Sequence, residues 1–325
     1  MTRADLVPLR LFGRYGVVLA LVLLIGFGAW RYDNFLGAFN ILSFLRYNSM
    51  FALVALGMAF VIMTGGIDLS VGAVAALGSV VAALASPYGL VPGLLAGAVA
   101  GLTAGMINGF VIIRLGIVPF IATLATMLAA GGTALLLAGN QSVSVSYESG
   151  FTVLGQGNLL GFPIPAWMAL CAYLVGSIVL NFTSFGRTVL ALGGNEDATR
   201  LMGLAADRVK FLTYAASGTL AGIAGVILAS QFGAGQPIEG VGWELFAIAA
   251  VVVGGTPLTG GNGSVGTTLA GVILLGLIFN ILNFENGRGL ISLSAYWQSV
   301  IRGLFLLIVV VLQAKLVGRS AARSA

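Results

Sequence analysis

Residues Thr183 to Lys210 read TSFGRTVLALGGNEDATRLMGLAADRVK and hold seven of the chain's 25 charged side chains, set between two long hydrophobic tracts. Asn195 follows a Gly-Gly pair and is suited to cap a short helix, because its side-chain oxygen can accept from backbone N–H groups that a first turn leaves free. Glu196 and Asp197 would lie in that first turn, against the positive end of the helix dipole. Gly203 follows Met202 where the helix should end on a left-handed residue, a conformation glycine adopts without strain. Arg187, Arg200, Arg208 and Lys210 place this polar island on the cytoplasmic surface, the side on which basic residues accumulate. A capped, charged helix rooted between apolar tracts offers a soluble protein somewhere to dock.

The flanking tracts define the class. Of 325 residues, 59% are hydrophobic and 8% charged, the mean hydropathy is +1.06, and several apolar runs reach bilayer length. These features predict an all-α, polytopic membrane protein. The net charge of +5 is not a nucleic-acid signal, because the basic residues sit at the ends of apolar segments and not along one face. The chain has no His and one Cys, Cys171, which excludes internal disulfides and His or Cys zinc clusters. Cys171 lies in an apolar run and reads as a packing residue. Arg3, Arg10 and Arg14 precede the apolar run Tyr15 to Trp30 as in a signal peptide. Bulky Trp30, Arg31 and Tyr32 follow where a cleavage site would need small residues, so the run reads as a retained first span.

Spans are expected at about 15–31, 47–64, 69–86, 91–113, 118–139, 164–182, 209–231, 244–258, 265–283 and 295–314. Ten spans put both termini in the cytoplasm. Charge supports that count, since Arg3, Arg10, Arg14, Arg114, Arg187, Arg200, Arg208, Lys210, Lys315, Arg319 and Arg323 then fall inside and only Arg31, Arg46 and Arg288 outside. The longest outside loop, Asn140 to Pro163, carries Glu148 as its only charge.

Glycine announces the packing. Gly93, Gly97, Gly101, Gly105 and Gly109 recur every four residues in the fourth span, and Gly218, Gly222 and Gly225 mark the seventh. Such stripes let backbones approach closely in lipid, where apolar side chains gain little by meeting each other. Asn108, on the packed face, either makes a helix-to-helix hydrogen bond or lines a pathway. Two Gly-rich breaks interrupt the spans. In the first, TGGIDLSVG (64–72), Asp68 or Ser70 caps the third span, or this irregular backbone lines or gates a polar pathway, or both. The second, GGTPLTGGNGSVG (254–266), contains a literal G-x-G-x-x-G, but no strand precedes it and an apolar span follows, so it is not a dinucleotide site. A phosphate-loop lysine is missing throughout, so any ATP that drives this protein is bound by another subunit.

Further polar residues mark a candidate pathway. Gln231, Asn280 and Arg302 lie within or at the ends of apolar spans, where polar groups are costly. Arg302 falls seven residues into the last span, about 10 Å deep, and either snorkels outward or faces the interior. Glu239 and Glu244 flank the entrance of the eighth span; with Glu148 they are either solvated loop charges or a docking patch for a basic partner surface.

GGIDLSVGA (65–73), GFPIPAW (161–167), FGR (185–187) through GGN to MGL (202–204), SGTLAGIAGV (217–226) and GWELFAIAAVVVGGT (242–256) resemble, in order and over nearly the whole chain, the membrane permease of ribose-type sugar ABC importers. The resemblance implies one transmembrane permease domain over residues 1–325, with a cytoplasmic coupling segment at about 183–210. It implies a second permease subunit, identical or paralogous, a cytoplasmic ABC ATPase that binds ATP and Mg, and a periplasmic sugar-binding protein, all at a bacterial inner membrane. Asn195, Glu196, Asp197, Arg200 and Gly203 would belong to the coupling helix. Phe246 departs from the pattern, since relatives often carry an acidic residue after Glu-Leu. The implied activity is import of a small polar solute, a monosaccharide, by alternating access, with no covalent chemistry and no cofactor in this chain. Another polar solute such as a nucleoside or branched-chain amino acid is the nearest alternative, followed by an ATP-independent channel or secondary transporter. The scarcity of acidic residues inside the spans argues against proton coupling, and no His, Cys pair or Ser/Asp constellation suggests an intramembrane enzyme.

Overall fold

A backbone that crosses lipid must satisfy its own polar groups, which makes the apolar tracts of this chain helical. The computed structural model describes residues 6–287 together with 297, 300, 301, 303 and 304. The first five helices are α1 (Leu6–Arg31), α2 (Ala38–Met63), α3 (Val71–Ala85, continued by a 3-10 turn over Ser86–Tyr88), α4 (Leu90–Arg114) and α5 (Pro119–Ala138). After the long loop, which holds α6 (Val153–Gln156), come α7 (Ile164–Phe182), α8 (Ser184–Gly194), α9 (Glu196–Leu201), α10 (Ala206–Phe232), α11 (Trp243–Val253) and α12 (Val265–Gly287). Among the described residues, seven helices are long and apolar enough to cross a membrane: α2, α3 with its 3-10 turn, α4, α5, α7, α10 and α12. The protein is therefore a helical, multi-pass membrane protein. The bundle has an island end, where α8 and α9 lie, and an opposite loop end, formed by residues 140–163.

α2 is the central helix. Every residue from Ser49 to Met63 is buried, as expected of a helix that is apolar on all sides. The two glycine stripes meet each other. A Cβ on Gly101 would strike the backbone of Gly218 and Gly222, and a Cβ on Gly218 or Gly222 would strike that of Gly97, Gly101 or Gly105. α4 and α10 thus pack main chain against main chain, the close approach that small residues permit in lipid.

Three expectations need correction. The second span starts at Ala38 and not near 47, so Arg46 is a residue of α2 and not of an outside loop. The eighth span is a half-length helix. α11 has 11 residues, about 16 Å of rise, against about 30 Å of hydrocarbon. It stops because Gly255 adopts φ +91°, with Gly255 N–H donating to Val252 O and Thr256 N–H to Val251 O. That pair of bonds is a Schellman termination, and Pro257 follows it. Cys171 is exposed on α7 and not packed in the core. The expected tenth span, 295–314, with Arg302 and Arg288, lies outside the described residues.

The chain reaches α11 by re-entering the bundle. After Gly233, Ala234–Gly235 pairs antiparallel with Val143–Ser144, and the following residues run beside α3. Gln236 N–H donates to Ser79 Oγ at 2.9 Å, Gly235 abuts Ser79 to Ala83, and Gly240 abuts Gly72. Here protein partners satisfy non-helical backbone at membrane depth. A second antiparallel pair, Asn158–Leu159 with Phe162–Pro163, folds the loop end.

Candidate functional site

The island builds the first part of the site. Asn195 Oδ1 accepts from Ala198 N–H at 2.9 Å, and Glu196 and Asp197 occupy the first turn of α9. Gly203 has φ +75°; its N–H donates to Arg200 O, and Leu204 N–H donates to Thr199 O, again a Schellman pattern. The charges turn inward on one another. Glu196 accepts from Arg200 at 2.9 Å and from Lys210 at 2.6 Å, and Arg200 also pairs with Asp207. Burial pushes the Glu196 carboxyl upward, but hydrogen bonds from Lys210 and Arg200 outweigh it and hold the group below its usual value. Asp207 and Glu196 raise the Arg200 guanidinium further. Exposed pairs of this kind contribute at most about 1 kcal/mol each, so they orient α9 on α10 more than they stabilise the fold. The outward surface is apolar, with Leu201 89% and Met202 66% exposed, a feature that counting charges overlooks.

Beneath α9 three glycine segments touch through their backbones. A Cβ on Gly193 would meet the carbonyl of Met63 and the amide of Gly261; one on Gly260 would meet Gly65 and Gly193; one on Gly261 would meet Gly194. Gly261 N–H donates to Met63 O at 3.0 Å. This joint connects the island to the ends of α2 and α11, with no side chain between them to yield.

The first Gly-rich break carries Asp68 deep into the bundle. Its Oδ2 accepts from Ser217 Oγ at 2.9 Å, and Ser217 lies about 16 Å along α10 from the island end. Asp68 Oδ1 accepts from the N–H of Ser70 at 3.0 Å and from its hydroxyl at 2.6 Å. Asn108 Nδ2 donates to Ser70 Oγ at 2.9 Å. Asp68, Ser70 and Asn108 thus form one buried knot joining α3, α4 and α10, and none of them lines the cavity described next.

That cavity, about 980 Å³, extends from loop-end residues Ser43, Arg46 and Gln156 to the half-helix α11, with walls from α2, α11 and α12. Its polar lining includes Arg46, Asn48, Gln231, Glu239, Asn280 and Asn283, and its aromatic lining includes Phe51, Trp243, Phe246 and Phe279. Phe246 stacks at 4.5 Å from Phe51 and 6.0 Å from Phe279. Asn280 and Asn40 exchange amide hydrogen bonds across α12 and α2. Of the sequence-derived pathway residues, Gln231 and Asn280 line this cavity; Arg302 lies outside the described residues. The three acidic residues grouped as a docking patch are dispersed. Glu148 is exposed in the long loop, Glu239 lines the cavity, and Glu244 lies in the first turn of α11 beside Gly72. Asn48, Gln156 and Asn283 escaped sequence reasoning, because amides scattered along the chain have no local pattern, and Arg46 was read as a loop charge.

Comparison with known proteins agrees with this architecture. Residues 40–310 match the family described as branched-chain amino acid transport system / permease component. The chain is 42% identical over 305 residues to the ribose import permease protein RbsC of Bacillus subtilis (strain 168), covering 93% of each chain. It is 39% identical over 304 residues to the L-arabinose transport system permease protein AraH of Escherichia coli (strain K12), covering 93% of this chain and 90% of that one. It is 34% identical to the L-arabinose ABC transporter permease protein AraH of Azospirillum brasilense, covering 93% of this chain and 87% of that one. No solved structure matches. The chain belongs to the family of transport-system permease components whose description names branched-chain amino acids.

Proposed function

We propose that this chain is the membrane subunit of an ATP-driven importer for a monosaccharide. The relatives aligned over nine-tenths of the chain are named for ribose and L-arabinose. The observation that carries the reading is the 980 Å³ cavity inside membrane-length helices, a size suited to a small ligand, with neutral amides for hydroxyl groups and aromatic faces for a sugar ring. The chain moves solute and performs no covalent chemistry. It acts as one transmembrane domain over residues 1–325, with ten crossings, the eighth made by the re-entering segment together with α11, and both ends cytoplasmic, in a bacterial inner membrane. α9, with Asn195, Glu196, Asp197, Arg200 and Gly203, is the coupling helix that seats in an ABC ATPase, and ATP and Mg bind there in trans. A periplasmic sugar-binding protein delivers solute at the loop end, and a second permease subunit completes the pathway; nucleic acid plays no part.

Alternating access needs a contact that carries motion from the ATPase to the cavity, and the backbone joint at Gly193, Gly260 and Gly261 lies between α9 and the end of α11. The reading is tested by uptake into proteoliposomes holding this chain, its ATPase and its binding protein. ATP-dependent accumulation of labelled ribose or arabinose, with hydrolysis stimulated by the sugar-loaded binding protein, is expected. Uptake that proceeds without ATP, or stimulation by leucine and by neither sugar, refutes it.

A further inference from the structure

Two of the helices that build the cavity set an amide beside an aromatic ring. Tyr47 and Asn48 are neighbours on α2, Phe279 and Asn280 are neighbours on α12, and all four line the cavity. Successive residues of a helix point about 100° apart, so each pair offers the same space a ring and, next to it, a polar group. α11 joins the two pairs. Phe246 lies 4.5 Å from Phe51 and 6.0 Å from Phe279, and Phe51 lies 5.4 Å from Tyr47. Four rings thus form one aromatic wall across three helices, near the middle of α2. The wall keeps accessible surface, since Tyr47 is 42% exposed and Phe246 and Phe279 are half-buried. The amides keep bonding capacity as well. Asn48 Nδ2 donates to Phe44 O, and Asn280 exchanges one bond in each direction with Asn40, whereas an amide has two donor hydrogens and two lone pairs.

We infer that the cavity recognises the ring of its solute, with the wall of Tyr47, Phe51, Phe246 and Phe279 receiving the C–H face of a cyclic sugar while Asn48 and Asn280 take hydroxyls at its edge. This rests on the monosaccharide reading above and names the part of the sugar that the wall reads. A cyclic sugar carries hydroxyls around its rim and C–H groups on its faces. The C–H groups are apolar and weakly positive, which suits the negative face of an aromatic ring, and the hydroxyls both donate and accept, as amides do. Ring closure holds that face and that rim at a fixed angle. An open-chain alditol has the same groups on freely rotating bonds, and ordering them into one face and one edge costs conformational entropy on binding. A branched-chain amino acid has apolar surface but no rim of hydroxyls, so it leaves the amides unmatched.

The test is saturation-transfer NMR with the assembled transporter in nanodiscs, using ribose and L-arabinose and, separately, the open-chain alditols ribitol and L-arabinitol. Both sugars should receive saturation, strongest at their ring C–H protons, and should bind roughly two- to tenfold more tightly than their alditols, the range of one aromatic contact. Phe246→Leu and Phe279→Leu keep apolar bulk without an aromatic face; each should weaken sugar binding by roughly two- to tenfold and narrow the preference over the alditols. Tyr88→Leu is the control, because Tyr88 is 81% exposed and does not line the cavity, and it should change neither. Should Phe246→Leu fail to assemble, Phe246→Met removes the same ring and should show the same weakening. Sugars and alditols that bind alike overturn the assignment, as do full affinity and preference in the assembled Phe246 and Phe279 variants, or no binding of either sugar. In each of those cases ATP-driven sugar uptake by the unaltered protein would leave the importer reading standing, and absence of that uptake would refute the importer reading itself.

Discussion

Gly193→Ala and Gly194→Ala form a matched pair that tests whether the glycine joint carries motion. A methyl on Gly193 meets Met63 O and Gly261 N, which are backbone atoms that cannot rotate away, whereas a methyl on Gly194 meets nothing within 4 Å. Relieving the first clash means lifting the 260–261 loop off Met63 and losing the 3.0 Å bond between Gly261 N–H and Met63 O. Overpacking costs about 1–3 kcal/mol and the bond contributes about 0.5–1.5 kcal/mol, so the joint loosens by about 1.5–4.5 kcal/mol. That is enough to open a local contact and small beside the packing of the surrounding helices. Gly194→Ala, at the end of α8, should be neutral or stabilising by up to about 1 kcal/mol. Both variants should insert in normal amounts. Gly193→Ala should keep basal ATP hydrolysis while uptake, and stimulation by the loaded binding protein, fall at least tenfold; Gly194→Ala should match the unaltered protein. Paired uptake and hydrolysis measurements in proteoliposomes decide it. Full uptake and stimulation in Gly193→Ala, or equal damage in both variants, would refute the role given to the joint.

The ends of α9 supply a second test. Asn195→Ala removes a cap contributing about 0.5–2 kcal/mol. Gly203→Val adds no clash, since the space around Gly203 is open, but forces a β-branched residue into φ +75° at a cost of about 1–2 kcal/mol or more. Both variants should still receive the loaded binding protein yet lose stimulation and uptake together; normal stimulation in nanodiscs would show that α9 is not the coupling element. The pH dependence follows from Glu196. Its folded pKa is depressed, so the clamp of α9 on α10 is fully present above the unfolded value of about 4.3 and is lost as pH falls through the lower folded value. A spin label at Met202 should keep constant mobility from neutral pH down to about 4.3 and loosen below it, whereas Glu196→Gln should be loose throughout. Loosening already between neutrality and pH 5 would contradict the clamp.

What could be read from the sequence was whatever depends on neighbours along the chain. The cap at Asn195, the left-handed Gly203 and the membrane length of most helices follow from a few adjacent residues or from a run of apolar ones. The error at α11 has a physical cause. Residues 244–258 are apolar enough to count as a span, and the Gly254-Gly255-Thr256-Pro257 stop signal registers in a hydropathy window only as a slight dip. Arg46 was misplaced for a related reason, since a topology count takes an arginine beside an apolar run as a loop marker, whereas α2 starts earlier and Asn158, 112 positions away, supplies its partner. The stripes on α4 and α10 were visible singly, but nothing in either identifies the other as its mate. The cavity was least legible, because it exists only after α2, α11 and α12 have converged.

The half-length helix then acquires a mechanical meaning within the proposed cycle. α11 contributes Trp243 and Phe246 to the cavity wall, and the chain leaving its other end reaches the joint at Gly260 and Gly261 within a few residues. Gly271 abuts Ala250, and Gly254 abuts Thr267 and Thr268, so α11 and the first turns of α12 share a backbone contact and should move as one body. α2, by contrast, is buried from Ser49 to Met63 and tied to α7 by the Tyr173 hydroxyl, which donates to Ala52 O at 3.0 Å. A shift of α9 transmitted through the joint, which also touches the end of α2 at Met63, would displace the α11 wall relative to the buried body of α2, bringing Phe246 across Phe51. A helix spanning the full bilayer would be held by packing at both ends. One that ends at mid-depth, with Gly242 at φ +86° before it and Gly255 at φ +91° after it, can move as a short rigid piece, and the cavity can change shape without the bundle coming apart.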